Sequence, residues 1–258
     1  MNKDVCLHAA AVLLKNRNTS LKVPRLKPEL RPKSIDDALG IQAAMAELRQ
    51  DSVGGWKCLL PIAADKLIVA PIFADDIQSG RQCELMADTG VAKVEPEIAF
   101  VLAKDLPAQT DDYSEAQIND AIGDCHMALE LIQRRFADSE QASFFEVLAD
   151  GLVNQGLFLG PKLDKQKALA ASLINLSITQ GDATQLYDGK HPNQNPVSPI
   201  YWLINYMSKR GVSFRAGQAL ITGSYAGVLE LAFDCLNDIE YQHLGAYQIE
   251  FIAKKVHR

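Results

Sequence analysis

The 258-residue sequence has no long apolar run and no basic cluster. A membrane-spanning helix needs about 20 consecutive apolar residues, and the chain contains no such segment. The net charge is −6, and no basic run is longer than the pair Arg134–Arg135, so neither nucleic acid nor a membrane is expected as a partner. Asp4 and His8 interrupt the apolar N-terminal stretch, which has no clear cleavage site. We therefore predict a helix there and not a signal peptide.

Cysteine is scarce and scattered. There is no CxxC pair and no cluster of histidine and cysteine at zinc-binding spacing, so a disulfide framework and a zinc site are not expected. Free thiols of this kind are typical of a reduced, cytoplasmic protein. The five cysteines are Cys6, Cys58, Cys83, Cys125 and Cys235.

Capping residues predict where several helices begin. Residues 2–16 are predicted to be helical, and Ser34 with the acid Asp37 forms a capping signal before an amphipathic helix over 35–50. Two further signals lie later in the chain: Ser114, before a helix that runs toward Gly123, and Ser198, as an N-cap before Pro199 in a helix that ends at Gly211.

After residue 66 the apolar period shortens toward two, which is typical of strands. The segments with this pattern are LIVAPIF (67–73), VEPEIAFVL (94–102), LELI (129–132), SLINLSIT (172–179), ALIT (219–222), VLELAF (228–233) and YQIEFI (247–252). The long polar segment 181–196 is predicted to be a loop. The fold class is therefore α+β: a helical N-terminal region over 1–66 and a β-rich core over 67–258, within one compact unit.

The segment KVEPEIAFVL, residues 93–102, places two glutamates in an otherwise apolar strand. Because side chains alternate along a strand, Glu95 and Glu97 share one face while Val94, Ile98 and Phe100 share the other. Two carboxylates this close repel each other unless a cation or a shared proton lies between them. A hard divalent ion such as Mg²⁺ would satisfy both. The alternative is a solvated outer face, on which glutamate is ordinary.

The same stretch resembles the metal-binding E-x-E strand of the fumarylacetoacetate hydrolase superfamily. Within it, the 2-oxopent-4-enoate hydratases and 4-oxalocrotonate decarboxylases are the most similar branch. The matching motifs follow in the family's order along nearly the whole chain: Trp56-Lys57-Cys58-Leu59-Leu60, Phe73-Ala74-Asp75, Ala128-Leu129-Glu130 with Arg135 after it, Gly156 to Gly160, Asn195-Pro196 with Trp202-Leu203, Gly217 to Ser224, and Leu244 to Phe251.

The resemblance implies a mixed β-roll or barrel-like catalytic core and a site for Mg²⁺ or Mn²⁺ formed by Glu95, Glu97 and Glu130. It implies a lyase that adds water to a 2-hydroxy-2,4-dienoate, or its 2-oxo acid tautomer, through a metal-stabilised enolate. Decarboxylation of an oxalocrotonate uses the same enolate. An acylpyruvate hydrolase or an oxaloacetate decarboxylase on the same fold would also carry these motifs, and a non-catalytic partner subunit would keep the fold. A homo-oligomer is also expected.

Further site residues come from the resemblance alone. It implies that Lys57 and Asp75 are catalytic and that Thr222 and Ser224 bind substrate, whereas the residues by themselves fit a surface lysine and polar turns better. Two substrate-binding positions depart from the family pattern, because Leu60 and Val153 replace residues that carry hydroxyls in related hydratases. The sequence therefore predicts an intact metal site beside a more apolar wall.

Overall fold

The computed structural model describes residues 1–137 and 140–255. Six α-helices lie in these residues: α1 (Lys3–Asn16), α2 (Ile35–Leu48), α3 (Glu115–Ala121), α4 (Phe144–Ala149), α5 (Lys165–Leu169) and α6 (Ser198–Ser208). The strands of the same residues are β1 (Val53–Cys58), β2 (Val69–Phe73), β3 (Ile77–Ser79), β4 (Gln82–Leu85), β5 (Ala92–Leu102), β6 (Ile122–Ile132), β7 (Asn154–Leu163), β8 (Leu173–Gln180), β9 (Ala183–Lys190), β10 (Ala219–Ile221), β11 (Leu229–Leu231), β12 (Leu236–Tyr241) and β13 (Gly245–Ala253). No helix of this set has both the length and the apolarity that a membrane crossing requires.

The helix signals in the sequence are confirmed in the N-terminal region and at α3. The Ser34 hydroxyl accepts a hydrogen bond from the Asp37 amide, and α2 begins at the next residue. Ser114 and Gln117 form a reciprocal capping box that starts α3. The prediction for Ser198 is wrong, because Val197 is the N-cap of α6 and Ser198 is already helical. Helices α1, α2 and α4 share a cluster of buried apolar residues with β2.

The larger sheet has the strand order β2-β1-β10-β5-β6-β7-β3, and β11 pairs with β5. It is mixed, because β1 runs parallel to β10 and β3 runs parallel to β7, while the other pairs are antiparallel. The sheet curls into a half-barrel, and small and branched apolar side chains pack together on its inner face. They are Ile72, Ala99, Ala128, Leu157, Ala219 and Ile221. The predicted α+β class with a barrel-like core is confirmed.

The second sheet has the order β4-β13-β12-β8-β9 and packs on the outer face of the first. Its edge strand corrects one prediction, because residues 183–190 form β9 where the sequence indicates a polar loop. Most side chains of β9 are exposed, so the strand lacks the apolar alternation by which strands are recognised. Backbone pairing with β8 along its whole length holds it in place.

Strand β1 lies within the region expected to be helical, so the sheet begins before the boundary predicted after residue 66. Two glycines, Gly54 and Gly55, interrupt the alternation of apolar and polar residues by which β1 could be recognised in the sequence. A Cβ atom on Gly55 would lie 2.4 Å from the Ala219 carbonyl oxygen, so only glycine lets β1 approach β10 this closely. Strand β7 is also missing from the sequence prediction. It carries Gly156, where a Cβ atom would lie 2.4 Å from the Asp76 carbonyl oxygen.

Tyr241 links the two sheets directly beneath the strands that carry the glutamates. Its side chain is fully buried, and its hydroxyl lies 3.2 Å from the Glu97 carbonyl oxygen and 3.0 Å from that of Ala128. We expect Tyr241→Phe to lower the free energy of unfolding by about 1 kcal/mol, the usual net value of a buried hydrogen bond. Urea denaturation measures the change. Tyr187→Phe on the exposed edge strand is the control and should change stability by less than about 0.5 kcal/mol.

Candidate metal centre

Pairing between β5 and β6 brings the three glutamates together. Glu95 lies directly opposite Glu130 in the antiparallel register, and Glu97 lies two residues further along the same face of β5. The other face of β5 contributes Val94, Ile98 and Phe100 to the core between the sheets. The glutamate face points into the curled sheet and is not the solvated outer face that the alternative interpretation requires.

The carboxylates form a compact cluster. Each of Glu95, Glu97 and Glu130 offers one oxygen, and these oxygens all lie within 4.8 Å of one another. Glu97 and Glu130 are buried and Glu95 is half-buried. Over residues 1–137 and 140–255, this is the only group of three or more acidic, histidine or cysteine side chains so arranged.

Each buried carboxylate has its own polar partners. Oε1 of Glu130 accepts hydrogen bonds from Lys57 Nζ at 2.6 Å and from Asn154 Nδ2 at 2.9 Å. Oε2 of Glu130 is buried without a hydrogen-bond partner. Oε2 of Glu97 accepts a 2.6 Å hydrogen bond from the Gly223 amide. A buried carboxylate oxygen without a partner costs free energy unless something else compensates its charge.

Burial and mutual repulsion raise the pKa values of the two glutamates on β5. Burial, together with the charge of Glu130, raises the pKa of Glu95 to about 7. Burial and the charges of Glu130 and Glu95 raise the pKa of Glu97 well above its ordinary range. Although burial lowers the pKa of Lys57, the charges of Glu130 and Glu95 outweigh that effect, so the pKa is raised and the amine stays protonated.

The residues present fit a divalent cation. When all three carboxylates are ionised, the single ammonium of Lys57 leaves two negative charges uncompensated. Hard carboxylate oxygens are the ligands that Mg²⁺ and Mn²⁺ prefer. The free Oε2 of Glu130 is available as one of them.

A strained turn lies against Lys57. Gly151, Leu152 and Val153 all have positive φ angles, of 82°, 54° and 62°. A left-handed backbone is unusual for leucine and especially for β-branched valine. The turn presents the Leu152 carbonyl oxygen to Lys57 Nζ at 3.3 Å, so the lysine is held between this oxygen and Glu130.

Asp75 has no described contact with the three glutamates, and its catalytic role stays a prediction. It is exposed in a short 3₁₀ turn after β2, where its amide donates to Asp51. Its carboxylate lines a cleft of about 370 Å³ whose lining includes Arg17, Arg49 and Asp76 but none of the three glutamates. The turn directs this position to the outside of the half-barrel.

Thr222 and Ser224 are close to the cluster, but the polar groups of both are engaged within the protein. The Thr222 hydroxyl is buried and lies 3.2 Å from His191 Nε2. The Ser224 hydroxyl lies 3.3 Å from the Pro96 carbonyl oxygen and 3.1 Å from that of Gly227. Both hydroxyls therefore stabilise the loop that brings the Gly223 amide to Glu97, and their role in substrate binding stays a prediction.

The two residues of the predicted apolar wall, Leu60 and Val153, lie in different surroundings, and the wall itself stays a prediction. Leu60 is half-buried, and its amide donates to Asn193. Val153, directly before β7, lines a separate cleft of about 310 Å³ with Arg135, Phe136 and others. None of the described contacts joins Leu60 or Val153 to the glutamates.

Sequence reasoning missed four contributors to the site. Asn154 and the Leu152 carbonyl contact Glu130 and Lys57, and the Gly223 amide contacts Glu97. Leu59 rather than Leu60 packs against Gly223, with its Cδ2 2.6 Å from where a Cβ atom on that glycine would lie. The one available signal was the polar Asn154 directly before the apolar run of β7.

Comparison with known sequences identifies the family of the chain. The family model described as fumarylacetoacetate (FAA) hydrolase C-terminal matches residues 73–250. The chain is 25% identical over 165 residues to a protein named 2-keto-4-pentenoate hydratase from Paraburkholderia xenovorans (strain LB400). That alignment covers 64% of this chain and 60% of the relative, so it spans less than two thirds of the relative's length.

Structural comparison gives the same fold. A structure titled 4-oxalocrotonate decarboxylase from Pseudomonas putida G7, complexed with magnesium and adipate, superposes with a TM-score of 0.79 at 18% identity, over 98% of this chain and 99% of the other. A fumarylpyruvate hydrolase from Pseudomonas aeruginosa, in complex with Mn²⁺ and pyruvate, superposes with a TM-score of 0.53 at 12% identity, over 77% and 89%. At these identities the likeness establishes the fold.

The raised pKa of Glu95 predicts how the metal-free protein responds to pH. A carboxyl whose pKa rises on folding, from about 4.3 to about 7, binds protons more tightly in the folded state. Stability therefore falls as pH rises through this window. We expect the melting temperature of the EDTA-treated protein to be lower at pH 8 than at pH 5.5, as measured by calorimetry.

Mn²⁺ should reverse the loss, since it binds deprotonated carboxylates, and should raise the melting temperature more at pH 8 than at pH 5.5. At a free concentration of 100 times its dissociation constant, the ion stabilises the fold by about 2.7 kcal/mol. Glu97→Gln is the control, in which both the pH dependence and the Mn²⁺ effect should shrink. A melting temperature insensitive to Mn²⁺ at both pH values would contradict the metal centre.

Proposed function

The chain belongs to the fumarylacetoacetate hydrolase C-terminal family, and we propose that it is a divalent-metal-dependent lyase that adds water to 2-hydroxy-2,4-dienoates or their 2-oxo acid tautomers. One observation carries the proposal: Glu95, Glu97 and Glu130 present oxygens within 4.8 Å of one another, and Lys57 Nζ lies 2.6 Å from Oε1 of Glu130. The name of the P. xenovorans relative supports hydration as the reaction. Glu95, Glu97 and Glu130 would hold the ion, Mg²⁺ or Mn²⁺.

A bound divalent cation would supply Lewis-acid stabilisation for the negative charge that develops on an oxygen of a 2-oxo acid. Lys57 supplies the second positive charge. Because its pKa is raised, it enters the reaction as an ammonium, which can donate a proton from Nζ or hold negative charge. The Leu152 carbonyl and Oε1 of Glu130 accept hydrogen bonds from Nζ. The apolar inner face of the half-barrel limits access of bulk water.

Decarboxylation of an oxalocrotonate is the second candidate. A specific observation favours it: Gly151 and Leu152, in the turn beside Lys57, carry no hydroxyl, so these residues offer no side chain to hold an attacking water. Decarboxylation needs no such water. The superposition with a decarboxylase over 98% of the chain is compatible with either reaction, since it concerns the fold.

A substrate panel separates the two reactions. We expect the protein with Mg²⁺ or Mn²⁺ to consume 2-hydroxypenta-2,4-dienoate, seen as loss of dienol absorbance without release of CO₂. Release of CO₂ from 4-oxalocrotonate in the same assay would identify the decarboxylase instead. EDTA treatment and Glu97→Gln are the controls and should abolish either signal. Absence of both reactions with both metals would contradict the lyase proposal.

Lys57 should matter for turnover more than for metal binding. We expect Lys57→Met to lower kcat by about 10²–10⁴-fold, the usual contribution of a positioned proton donor, while Mn²⁺ affinity changes far less. Lys162→Met is the matched control, because Lys162 also lies 2.6 Å from a carboxylate, that of Asp124, but on the exposed surface. Steady-state kinetics and Mn²⁺ titration test both variants. Unchanged turnover in Lys57→Met would remove Lys57 from the mechanism.

A further inference from the structure

Asn154 begins β7 and faces Ile132 of β6 across the sheet. Its side chain is buried, and Nδ2 donates to Oε1 of Glu130 at 2.9 Å and to the Gly156 carbonyl oxygen at 3.1 Å. Both partner atoms are acceptors when Glu130 is ionised. The contacts therefore fix which end of the amide is the nitrogen.

We infer that Asn154 is a positioning residue for Glu130, and this inference rests on the proposed metal site. Lys57 and Asn154 both donate to Oε1, whereas Oε2 has no donor. A carboxylate held at one oxygen by two donors cannot rotate freely. Oε2 is thus the oxygen left for an ion, and its direction is fixed before the ion binds. Partners of this kind typically change metal affinity by 10–100-fold.

Asn154 is a neutral hydrogen-bond donor, and its effect on Glu130 differs from that of a second cation. Lys57 is shared between Glu130 and the reaction proposed above, and its ammonium must be free to approach a substrate. If Lys57 alone held Glu130, each movement of Nζ would release the carboxylate. Asn154 keeps the Oε1 hydrogen bond throughout and adds no charge to compete with the ion.

The same side chain contributes little to folding. Its Oδ1 is buried without a hydrogen-bond partner, which costs free energy and opposes the gain from the Nδ2 hydrogen bonds. Leucine has nearly the shape of asparagine and carries no polar atom to leave unpaired. A structural role and a positioning role therefore predict different results for Asn154→Leu.

The test measures Mn²⁺ affinity and folding separately. Free Mn²⁺ is followed by electron paramagnetic resonance, and stability is followed as the urea midpoint in EDTA. We expect Asn154→Leu to weaken Mn²⁺ binding about 10–100-fold and to leave the urea midpoint unchanged or higher. Asn154→Ala, which cannot overfill the site, should weaken Mn²⁺ binding to the same extent.

Asn237→Leu is the matched control. Asn237 is also buried on a strand, and its Nδ2 donates to the carbonyl oxygens of Cys235 and Ile249 in the second sheet. This variant should lower the urea midpoint and leave Mn²⁺ affinity unchanged. Parental Mn²⁺ affinity in both Asn154 variants would overturn the positioning role while leaving the metal site intact. A parent protein that does not bind Mn²⁺ would overturn both.

Discussion

The repulsion among three buried carboxylates is the constraint on which the rest of this structure depends. Two unit charges about 4 Å apart repel by about 4 kcal/mol at an effective dielectric constant of 20. The register of β5 and β6 nevertheless places Glu95 opposite Glu130. The surrounding protein therefore supplies Lys57, the Gly223 amide and Asn154, and still leaves negative charge in excess. Without a cation between the carboxylates this arrangement is unfavourable. It is understandable as the protein's part of an ion-binding site.

The sequence alone was sufficient for the parts of this arrangement that depend on local pattern. Alternation along residues 94–102 put Glu95 and Glu97 on one face, and the structure agrees. Glu130 and Lys57 required the ordered motifs of the family, because no local pattern relates residues so far apart in the chain. Asn154 is a polar residue directly before the apolar run of β7, but neither route assigned it a role. Its contact with Glu130 depends on the register between β6 and β7, which contains bulges.

The differences between sequence and structure have physical causes. Asp75 and Val153 were assigned to the site from matching positions, and the structure places both in turns, where strand alternation does not predict the direction of a side chain. The left-handed turn at Leu152 and Val153 costs on the order of 1–3 kcal/mol for each residue. Arg135 holds Asp150, the residue before this turn, with Nε 2.7 Å from the Asp150 carboxylate. The sequence pattern does not predict strand β9, because an exposed edge strand has no buried face and therefore no alternation of apolar residues.

The parallel pairing of β1 with β10 has a consequence for how the chain acquires this structure. Lys57 lies beside Ile221, so the two strands come from opposite ends of the chain. Long-range pairings of this kind slow folding, because chain entropy is lost before the contact is made. During synthesis, β1 and β2 leave the ribosome well before β10 exists. Until β10 has been synthesised, one edge of β1 has no partner strand. The nascent chain must therefore be kept from pairing with other chains at this edge.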